Sequence, residues 1–324
     1  MKCERSDEMN WKKKLLLIVT VISLMMTVTG CGVFSDDQRV NEMFVSGGSM
    51  YYTNYKDTLY RYDNLSGKGK VVSKLNIRYA SQVFEDKGYI YYSNGSAISR
   101  KSLSDGSTVR LVKGENISVG MVSGSSLVYA SAQRDVNGKG FSEFEYRMYN
   151  LLTGEDILLF KRSNDFWHFL AADENILIAD ASLQDDSGLY SIDLATGTTK
   201  KLLSLRVHEG YIVNGNFYYT SQKEKGLGSI DLNGDDPEGI PLPGIDETFF
   251  VKRITGFGDF LYVAAYYDGE GHIIFMHLKT HKTTILANGF GAIWDLCSDG
   301  KTLYVYDTKS PTDKKGNITV IPLE

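Results

Sequence analysis

Met50-Tyr51-Tyr52-Thr53-Asn54 is a short strand pattern, with large apolar side chains at alternate places and a polar end, that returns six more times along the 324-residue chain. The other copies begin at Ile90, Leu127, Ile176, Phe217, Leu261 and Leu303. The third residues of successive copies lie 37 to 49 positions apart, about 42 on average. A period of this length is typical of a β-propeller, in which each repeat forms one four-stranded blade. The repeat therefore predicts seven blades.

A second strand and a turn follow these copies. The clearest examples are Leu59 to Asp63, Tyr190 to Leu194 before Ala195-Thr196-Gly197, and Ser229 to Leu232 before Asn233-Gly234. Glycine and asparagine tolerate the positive φ angles that tight hairpin turns require. No stretch after residue 30 shows sustained helical spacing of apolar residues. We therefore expect one all-β domain, a single β-propeller.

The strands Tyr51-Tyr52-Thr53-Asn54 and Tyr91-Tyr92-Ser93-Asn94 resemble the YWTD-type repeats of low-density-lipoprotein-receptor propellers, and those of bacterial surface proteins of unassigned function. The likeness is clear in the copies that begin at Met50, Ile90 and Phe217, with tyrosine in place of the signature tryptophan. The resemblance implies six blades, the usual number in that family. Seven repeats favour seven blades, and eight is the remaining alternative.

The last repeat has no segment for a fourth strand, because the sequence stops at Glu324 directly after its third strand. Two arrangements are open. The segment just after Cys31 supplies the missing strand and closes the ring, or the last blade has three strands.

The first thirty residues have the layout of a signal peptide: Lys12-Lys13-Lys14, an apolar stretch from Leu15 to Val28, and Thr29-Gly30. The apolar stretch has about 14 residues, fewer than the roughly 20 that a transmembrane helix needs. Val28-Thr29-Gly30-Cys31 resembles the bacterial lipobox. The resemblance implies cleavage before Cys31 and a diacylglycerol, with acyl chains such as palmitate, on its thiol. The alternative is an ordinary secretory signal.

These segments predict a signal peptide over residues 1–30, a lipidated Cys31 with a short tether over residues 31–38, and the propeller over residues 39–324. The protein would then be held at the extracytoplasmic side of the cell membrane. About nine residues precede the first inner strand near Val40, a reach of at most roughly 30 Å. Such a tether favours one propeller face turned away from the membrane.

The formal net charge is −5, and residues 1–30 contain five basic and three acidic residues, so the chain from Cys31 onward carries −7. An acidic chain lacks the basic field that nucleic-acid binding needs, and we expect no nucleic-acid partner. Of three cysteines, Cys3 leaves with the signal and Cys31 takes the lipid. Cys297 remains, and we expect it to be buried as a small apolar residue.

A polar register recurs ten residues before the third residue of each repeat. Its members are Glu42, Gln82, Val119, His168, Glu209, Arg253 and Asp295. The inner strands of a propeller surround its central channel, so this register predicts a polar ring there, with Arg253 between Glu209 and Asp295 of neighbouring blades. Two interpretations are open: mutually neutralised charges around a water-filled channel, or a binding site for a ligand or ion.

Long connections between second and third strands would emerge on one propeller face. They are Ala132–Ser142, Ala181–Gly188, Gln222–Gly226, Tyr266–Gly271 and Thr308–Gly316. The aromatic residues Phe166, Trp167, Tyr266 and Tyr267 map to the same face. Aromatic side chains often anchor glycan or protein contacts, although each of these also suits ordinary packing.

Enzyme signatures are absent: the chain has no Gly-x-Ser-x-Gly elbow, His-Glu-x-x-His helix, phosphate-binding loop or repeated Asp-box. Asp231 to Asp235 mimics the start of a calcium loop but lacks its sixth-position glycine and twelfth-position glutamate, which indicates a hairpin turn. The sequence therefore predicts no metal and no cofactor.

The leading hypothesis is a non-catalytic, membrane-anchored module that binds an envelope protein, peptide or glycan through the aromatic face, with Arg253 and Glu209. The alternative is an envelope glycan lyase or hydrolase at the channel mouth. Its acid, base and electrostatic groups would be His168, Glu209, Arg253 and Asp295. A purely structural part of an envelope complex is the third possibility.

Overall fold

The computed structural model describes residues 32–33, 40–77, 83–134, 141–162, 166–182, 186–221, 226–242, 250–267, 269–310, 312–313 and 316–323. All regular secondary structure in these residues consists of β-strands. In the same residues, no helix is long and apolar enough to span a membrane. The prediction of an all-β fold is confirmed.

The strands form seven blades, numbered here in chain order. Blade 1 contains β2 (Val40–Ser46), β3 (Ser49–Asn54), β4 (Thr58–Asp63) and β5 (Lys68–Lys74). Blade 2 contains β6 (Phe84–Asp86), β7 (Tyr89–Ser93), β8 (Gly95–Ser102) and the first part of β9 (Thr108–Ser123). Blade 3 contains the second part of β9, then β10 (Ser126–Arg134), β11 (Phe141–Asn150) and β12 (Asp156–Arg162).

The remaining blades follow the same order from the centre outward. Blade 4 contains β13 (Phe166–Ala172), β14 (Ile176–Ser182), β15 (Gly188–Asp193) and β16 (Thr199–Leu203), and blade 5 contains β17 (Val207–Val213), β18 (Asn216–Ser221), β19 (Leu227–Asp231) and β20 (Glu238–Ile240). Blade 6 contains β21 (Phe250–Phe257), β22 (Phe260–Tyr267), β23 (Glu270–His277) and β24 (Lys282–Phe290). Blade 7 contains β25 (Ala292–Ser298), β26 (Thr302–Thr308), β27 (Gly316–Pro322) and β1 (Gly32–Val33).

Each copy of the repeat lies in the second strand of its blade, and its third residue is buried in all seven cases. These residues are Tyr52, Tyr92, Tyr129, Ile178, Tyr219, Val263 and Val305. Burial in these strands is continuous rather than alternating: every residue of β26 from Leu303 to Thr308 is buried. Continuous burial indicates that both faces of the strand are covered.

Seven clusters of buried side chains provide that cover, and each cluster joins two neighbouring blades. In one, Ile178 of blade 4 packs with Phe217 and Tyr219 of blade 5. In another, Met43 and Tyr52 of blade 1 pack with Tyr304 of blade 7, which joins the last blade to the first. Clusters of the same kind join the other five pairs of neighbours. The packing therefore defines a closed ring of seven blades.

One strand serves two blades. β9 pairs with β8 from Thr108 to Ile117 and with β10 from Ile117 to Ser123, so it is the outermost strand of blade 2 and then the innermost strand of blade 3. The hydroxyl of Ser93 donates a hydrogen bond to the carbonyl oxygen of Ile117, where the change of partner occurs. Blades 2 and 3 are consequently parts of one seven-stranded sheet.

The N-terminal strand completes the last blade. Gly32 pairs with Ile318 and Val33 with Asn317, antiparallel, which makes β1 the outermost strand of blade 7. Of the two arrangements left open by the sequence, closure by the segment after Cys31 is thus confirmed. The sequence predicts about nine residues between Cys31 and the first strand of the propeller, whereas Gly32, the residue that follows Cys31, is already paired in the sheet.

Removal of β1 should weaken the closed ring. A chain that begins at residue 40 loses the β1–β27 hydrogen bonds, and at about 1 kcal/mol per bond we expect the free energy of unfolding to fall by about 1–2 kcal/mol relative to a Cys31→Ser chain that begins at residue 31. Urea unfolding followed by tryptophan fluorescence measures the difference. Equal midpoints for the two chains would show that β1 adds nothing to closure.

Candidate functional site at the channel mouth

A β-bulge recurs in the innermost strands of blades 1, 5, 6 and 7. The pairing register shifts between Val40 and Glu42, between Val207 and Glu209, between Val251 and Arg253, and between Ile293 and Asp295. Each bulge leaves one residue unpaired directly before a charged residue. Because a bulge bends its strand and re-aims the next side chain, the repeated bulge brings together four ionisable side chains from four consecutive blades.

Arg253 is the central cation of this group. Its Nη1 atom lies 2.9 Å from Oε1 and 3.1 Å from Oε2 of Glu209, and its Nε atom lies 3.3 Å from Oδ1 of Asp295. The side chain of Arg253 is 29% exposed and that of Asp295 only 10%. Arg253 therefore bridges blades 5 and 7, as the sequence predicts. Its two carboxylate neighbours raise the pKa of Arg253 despite its burial.

Asp295 joins the last blade to the first at the channel. Its Oδ2 atom accepts a hydrogen bond of 2.7 Å from the backbone N–H of Met43 in blade 1, and its Oδ1 atom accepts one of 2.9 Å from Leu296. Burial raises the pKa of Asp295, while Arg253 and these two N–H groups oppose the rise. The carboxylate is thus both an ion-pair partner and a link between blades.

Glu42 differs from its neighbours. Within the described part of the chain, its carboxyl group forms no hydrogen bond. Burial, and then the negative charges of Asp295 and Glu209, raise the pKa of Glu42 to about 8, although Arg253 opposes the rise. At neutral pH, Glu42 is therefore mainly protonated and offers an O–H donor.

His168 lies on the blade 4 side of the same opening. Its strand partner is Asp180, a residue that the sequence did not single out. Asp180 is buried and accepts hydrogen bonds from Nε of Arg206 at 2.7 Å and from the backbone N–H of Val207 at 3.0 Å. Burial lowers the pKa of His168, Asp180 opposes this, and Arg253 adds to it. A neutral imidazole is therefore favoured at pH 7.

Charged and apolar side chains together line a cavity of about 260 Å³ at this place. Its polar lining consists of Glu42, His168, His208, Glu209 and Arg253, and its apolar lining of Val83, Phe84, Met121, Phe169 and Leu170. We call this cavity the channel mouth. His208 is the unpaired bulge residue before Glu209, which is why the ten-residue register did not include it. The lining offers O–H and imidazole N–H donors next to carboxylate acceptors, a set suited to hydroxyl and amide groups.

Two of the four predicted aromatic contact residues lie in the core instead. Trp167 is 3% exposed, and its ring centroid lies 4.9 Å from that of Tyr190. Tyr267 is 5% exposed and stacks on His272 with a centroid distance of 3.7 Å. Both rings point into spaces between blades, because in a propeller the neighbouring blade covers the face of each sheet. They are therefore unavailable to a ligand at the surface.

The other predicted residues have mixed positions. Tyr266 is half-buried, and its hydroxyl donates a hydrogen bond of 2.8 Å to the carbonyl oxygen of Gly269. Val119 is buried in the cluster that joins blades 2 and 3. The side chain of Phe166, all of Gln82 and parts of each long connection lie outside the described residues.

Asp231 accepts hydrogen bonds from the backbone N–H groups of Asn233 and Asp235, which confirms the predicted hairpin turn.

Fold and site together define a seven-bladed β-propeller with a charged channel mouth. No protein-family model and no curated protein sequence matches the chain. Similar solved structures include the β-propeller domain of Cps50 (Swd1) from Myceliophteria thermophila, with a TM-score of 0.56, 12% identity and coverage of 90% of this chain and 99% of that one. BamB from Moraxella catarrhalis has a TM-score of 0.53, 12% identity and coverage of 90% and 97%.

An oligogalacturonate lyase in complex with manganese is similar at a TM-score of 0.55 and 12% identity, over 86% of this chain and 78% of that one. Identities this low establish the fold alone. These comparisons confirm the β-propeller, while the resemblance to YWTD-type repeats stays a prediction.

Arg253→Met should be strongly destabilising. It leaves Glu209 and Asp295 without their cation in a partly buried place, and the loss of one partner from such a group costs about 3–5 kcal/mol. Lys70→Met is the matched control, because Lys70 also pairs with a carboxylate, Asp63, but is 78% exposed; we expect it to cost less than about 1 kcal/mol. Urea unfolding measures both. Similar losses would mean that Arg253 is not the organising cation.

Glu42→Gln should stabilise the protein increasingly as the pH rises. The folded-state pKa of about 8 lies above the ordinary value of 4.5, so wild-type stability falls between these two pH values as the unfolded chain ionises first. Glutamine does not titrate, and the gain should exceed about 1 kcal/mol at pH 8. Thermal unfolding from pH 5 to pH 9 measures it, with exposed Glu155→Gln as the charge-matched control. A stability difference between Glu42→Gln and the wild type that does not change with pH would contradict the raised pKa of Glu42.

Proposed function

We propose that the protein is a non-catalytic binding module, held at the extracytoplasmic side of the cell membrane by a lipid on Cys31, that takes part of an envelope protein, peptide or glycan into the channel mouth. The observation that carries the proposal is the Glu42 carboxyl, which faces the cavity without a hydrogen-bond partner among the described residues. The carboxyl is partly exposed to the cavity, so its hydrogen-bonding groups are available to a ligand that enters there.

The size and chemistry of the channel mouth restrict the ligand. A cavity of about 260 Å³ holds one side chain or one sugar ring rather than a whole polymer. Protonated Glu42 and neutral His168 supply donors, Glu209 supplies acceptor oxygens, and Phe84 and Phe169 supply apolar walls. Sugars have the matching combination of hydroxyl groups and an apolar ring face, which favours a glycan or a hydroxylated peptide side chain.

A second function has one observation in its favour. Burial raises the pKa values of both Glu42 and Glu209, and carboxyl groups with raised pKa values are what a general acid requires. An envelope glycan lyase or hydrolase with His168, Glu209, Arg253 and Asp295 at its site is therefore the alternative. Arg253 forms ion pairs with both Glu209 and Asp295, the two carboxylates that the enzyme would need as acid and base. These ion pairs therefore favour the binding module.

The anchor is tested directly on the protein as cells produce it. We expect the N-terminal peptide, by mass spectrometry, to begin at Cys31 and to carry a diacylglycerol, and Cys31→Ser to release the protein from the membrane fraction into the soluble fraction. A membrane-bound Cys31→Ser protein, or an unmodified N-terminus, would contradict the lipid anchor.

The channel mouth is tested with the soluble Cys31→Ser chain from residue 31 on arrays of cell-wall glycans and envelope peptides. We expect Glu42→Met, which keeps the length of the side chain but can neither donate nor accept a strong hydrogen bond, to weaken binding about tenfold through loss of one hydrogen bond to the ligand, and exposed Glu155→Met to leave it unchanged. Equal binding by Glu42→Met would place the ligand elsewhere. Glycan cleavage that Glu209→Gln abolishes would establish the enzyme instead.

A further inference from the structure

We propose that the propeller stands edge-on at the membrane, with the outer edge of blade 1 against an anionic phospholipid surface. This inference rests on the proposed lipid at Cys31. We call the surface the blade 1 edge and define it by Leu65, Lys68, Lys70, Val71, Val72 and Lys74.

The first argument is the position of the proposed attachment point in the fold. Gly32, one residue after Cys31, is paired with Ile318, the third of the seven residues of β27. One extended residue spans only about 3.3 Å, so a lipid on Cys31 leaves the protein at the outer edge of blade 7, partway along its height. The lipid would therefore start from the outer edge of the ring rather than from the channel side. The tether predicted from the sequence favours one propeller face turned away from the membrane. The position of β1 instead favours an orientation in which the outer edge of the ring faces the membrane.

Charge carries the second step. The stretch from residue 64 to residue 84 contains no acidic residue, in a chain of net charge −5. Its strand β5 exposes Lys68, Lys70 and Lys74 on the outside of blade 1. Lys70 pairs with Asp63 at 3.1 Å. Burial raises the pKa of Asp57, and Lys74 lies close enough to that carboxyl to oppose the rise. All three ammonium groups are nevertheless on exposed side chains that can also face an anionic surface. Basic residues that stand close to anionic headgroups are attracted to them.

Exposed apolar side chains carry the third step. Leu65 is fully exposed, Val71 is 66% exposed and Val72 is 40% exposed. These apolar groups lie among the three lysines in the same strand and the turn before it. The combination suits the interface of a bilayer, where apolar side chains enter the boundary and lysine stems extend to the headgroups.

Contacts between blades make this edge continuous with the anchor. The Asn64 side chain donates a hydrogen bond of 3.1 Å to the hydroxyl of Tyr304 in blade 7. Leu65 and Lys70 also line, with Tyr304, a groove of about 380 Å³. The blade that bears β1 and the blade that bears the basic edge are therefore neighbours, and one flat membrane can touch both. The channel axis then lies along the membrane plane, with both openings in solvent.

The test uses the lipidated protein in vesicles of phosphatidylglycerol and phosphatidylethanolamine, after mass spectrometry has verified the lipid. A fluorophore is attached at Val72→Cys on blade 1 or, as control, at Leu158→Cys on β12 of blade 3, across the ring. Leu158 is 44% exposed and also lies in an outermost strand. We expect headgroup-labelled lipids to quench the fluorophore at position 72 at least about threefold more than at position 158.

Charge reversal separates the edge from the anchor. Lys68→Glu with Lys74→Glu should abolish the quenching difference while the lipid stays attached, whereas Lys200→Glu with Lys282→Glu, on the outer strands of blades 4 and 6, should preserve it at the same change in net charge. Equal quenching at both positions, or no effect of the first pair, overturns the edge-on orientation. An absent lipid refutes the proposed anchor instead, so the two failures are distinguishable.

Discussion

Blade-to-blade packing is the constraint on which the structure depends, because the middle strands of each blade are apolar on both faces. In β26, every residue from Leu303 to Thr308 is buried, so water is excluded from both sides of that sheet. A row of blades would leave two apolar faces exposed at its ends. Closure of the row into a ring removes both ends, and the cluster around Tyr52 and Tyr304 is the contact that does so.

Blades 7 and 1 are joined in two places, at the outer edge of the ring and at the channel. At the outside, β1, which precedes blade 1 in the sequence, pairs with β27 of blade 7. At the channel, Asp295 accepts a hydrogen bond from Met43 and also pairs with Arg253, which in turn pairs with Glu209. The charges that form the candidate site therefore also connect blades 5, 6, 7 and 1 at the centre. A substitution of Arg253, Glu209 or Asp295 consequently changes both the site and the closure of the ring. Glu42 takes no part in these bonds, so its substitution reports on the site alone.

Much of the fold follows from the sequence because its signals are periodic. The 42-residue repeat gives the blades, and the polar register finds Arg253 between Glu209 and Asp295. Bulges do not show in such a register, so the convergence of four ionisable side chains on one side of the channel and the entry of His208 into its mouth were not predicted. The roles of Trp167 and Tyr267 were also missed. When both sheet faces are buried, the alternation that normally separates inward from outward side chains is lost.

The proposed anchor and the candidate site lie at opposite radii of the ring, one at the outer edge and one at the channel. Cys31 precedes the outermost strand of blade 7, whereas Asp295 belongs to the innermost strand of the same blade and Glu42 to that of the next. If the proposed lipid is attached at the outer edge, the channel mouth lies at the other radius of the ring and stays open to solvent. The proposed ligand would then reach Glu42 without displacement of the protein from the membrane. In that arrangement the lipid would add nothing to the site itself, and any ligand preference would come from the side chains that line the mouth.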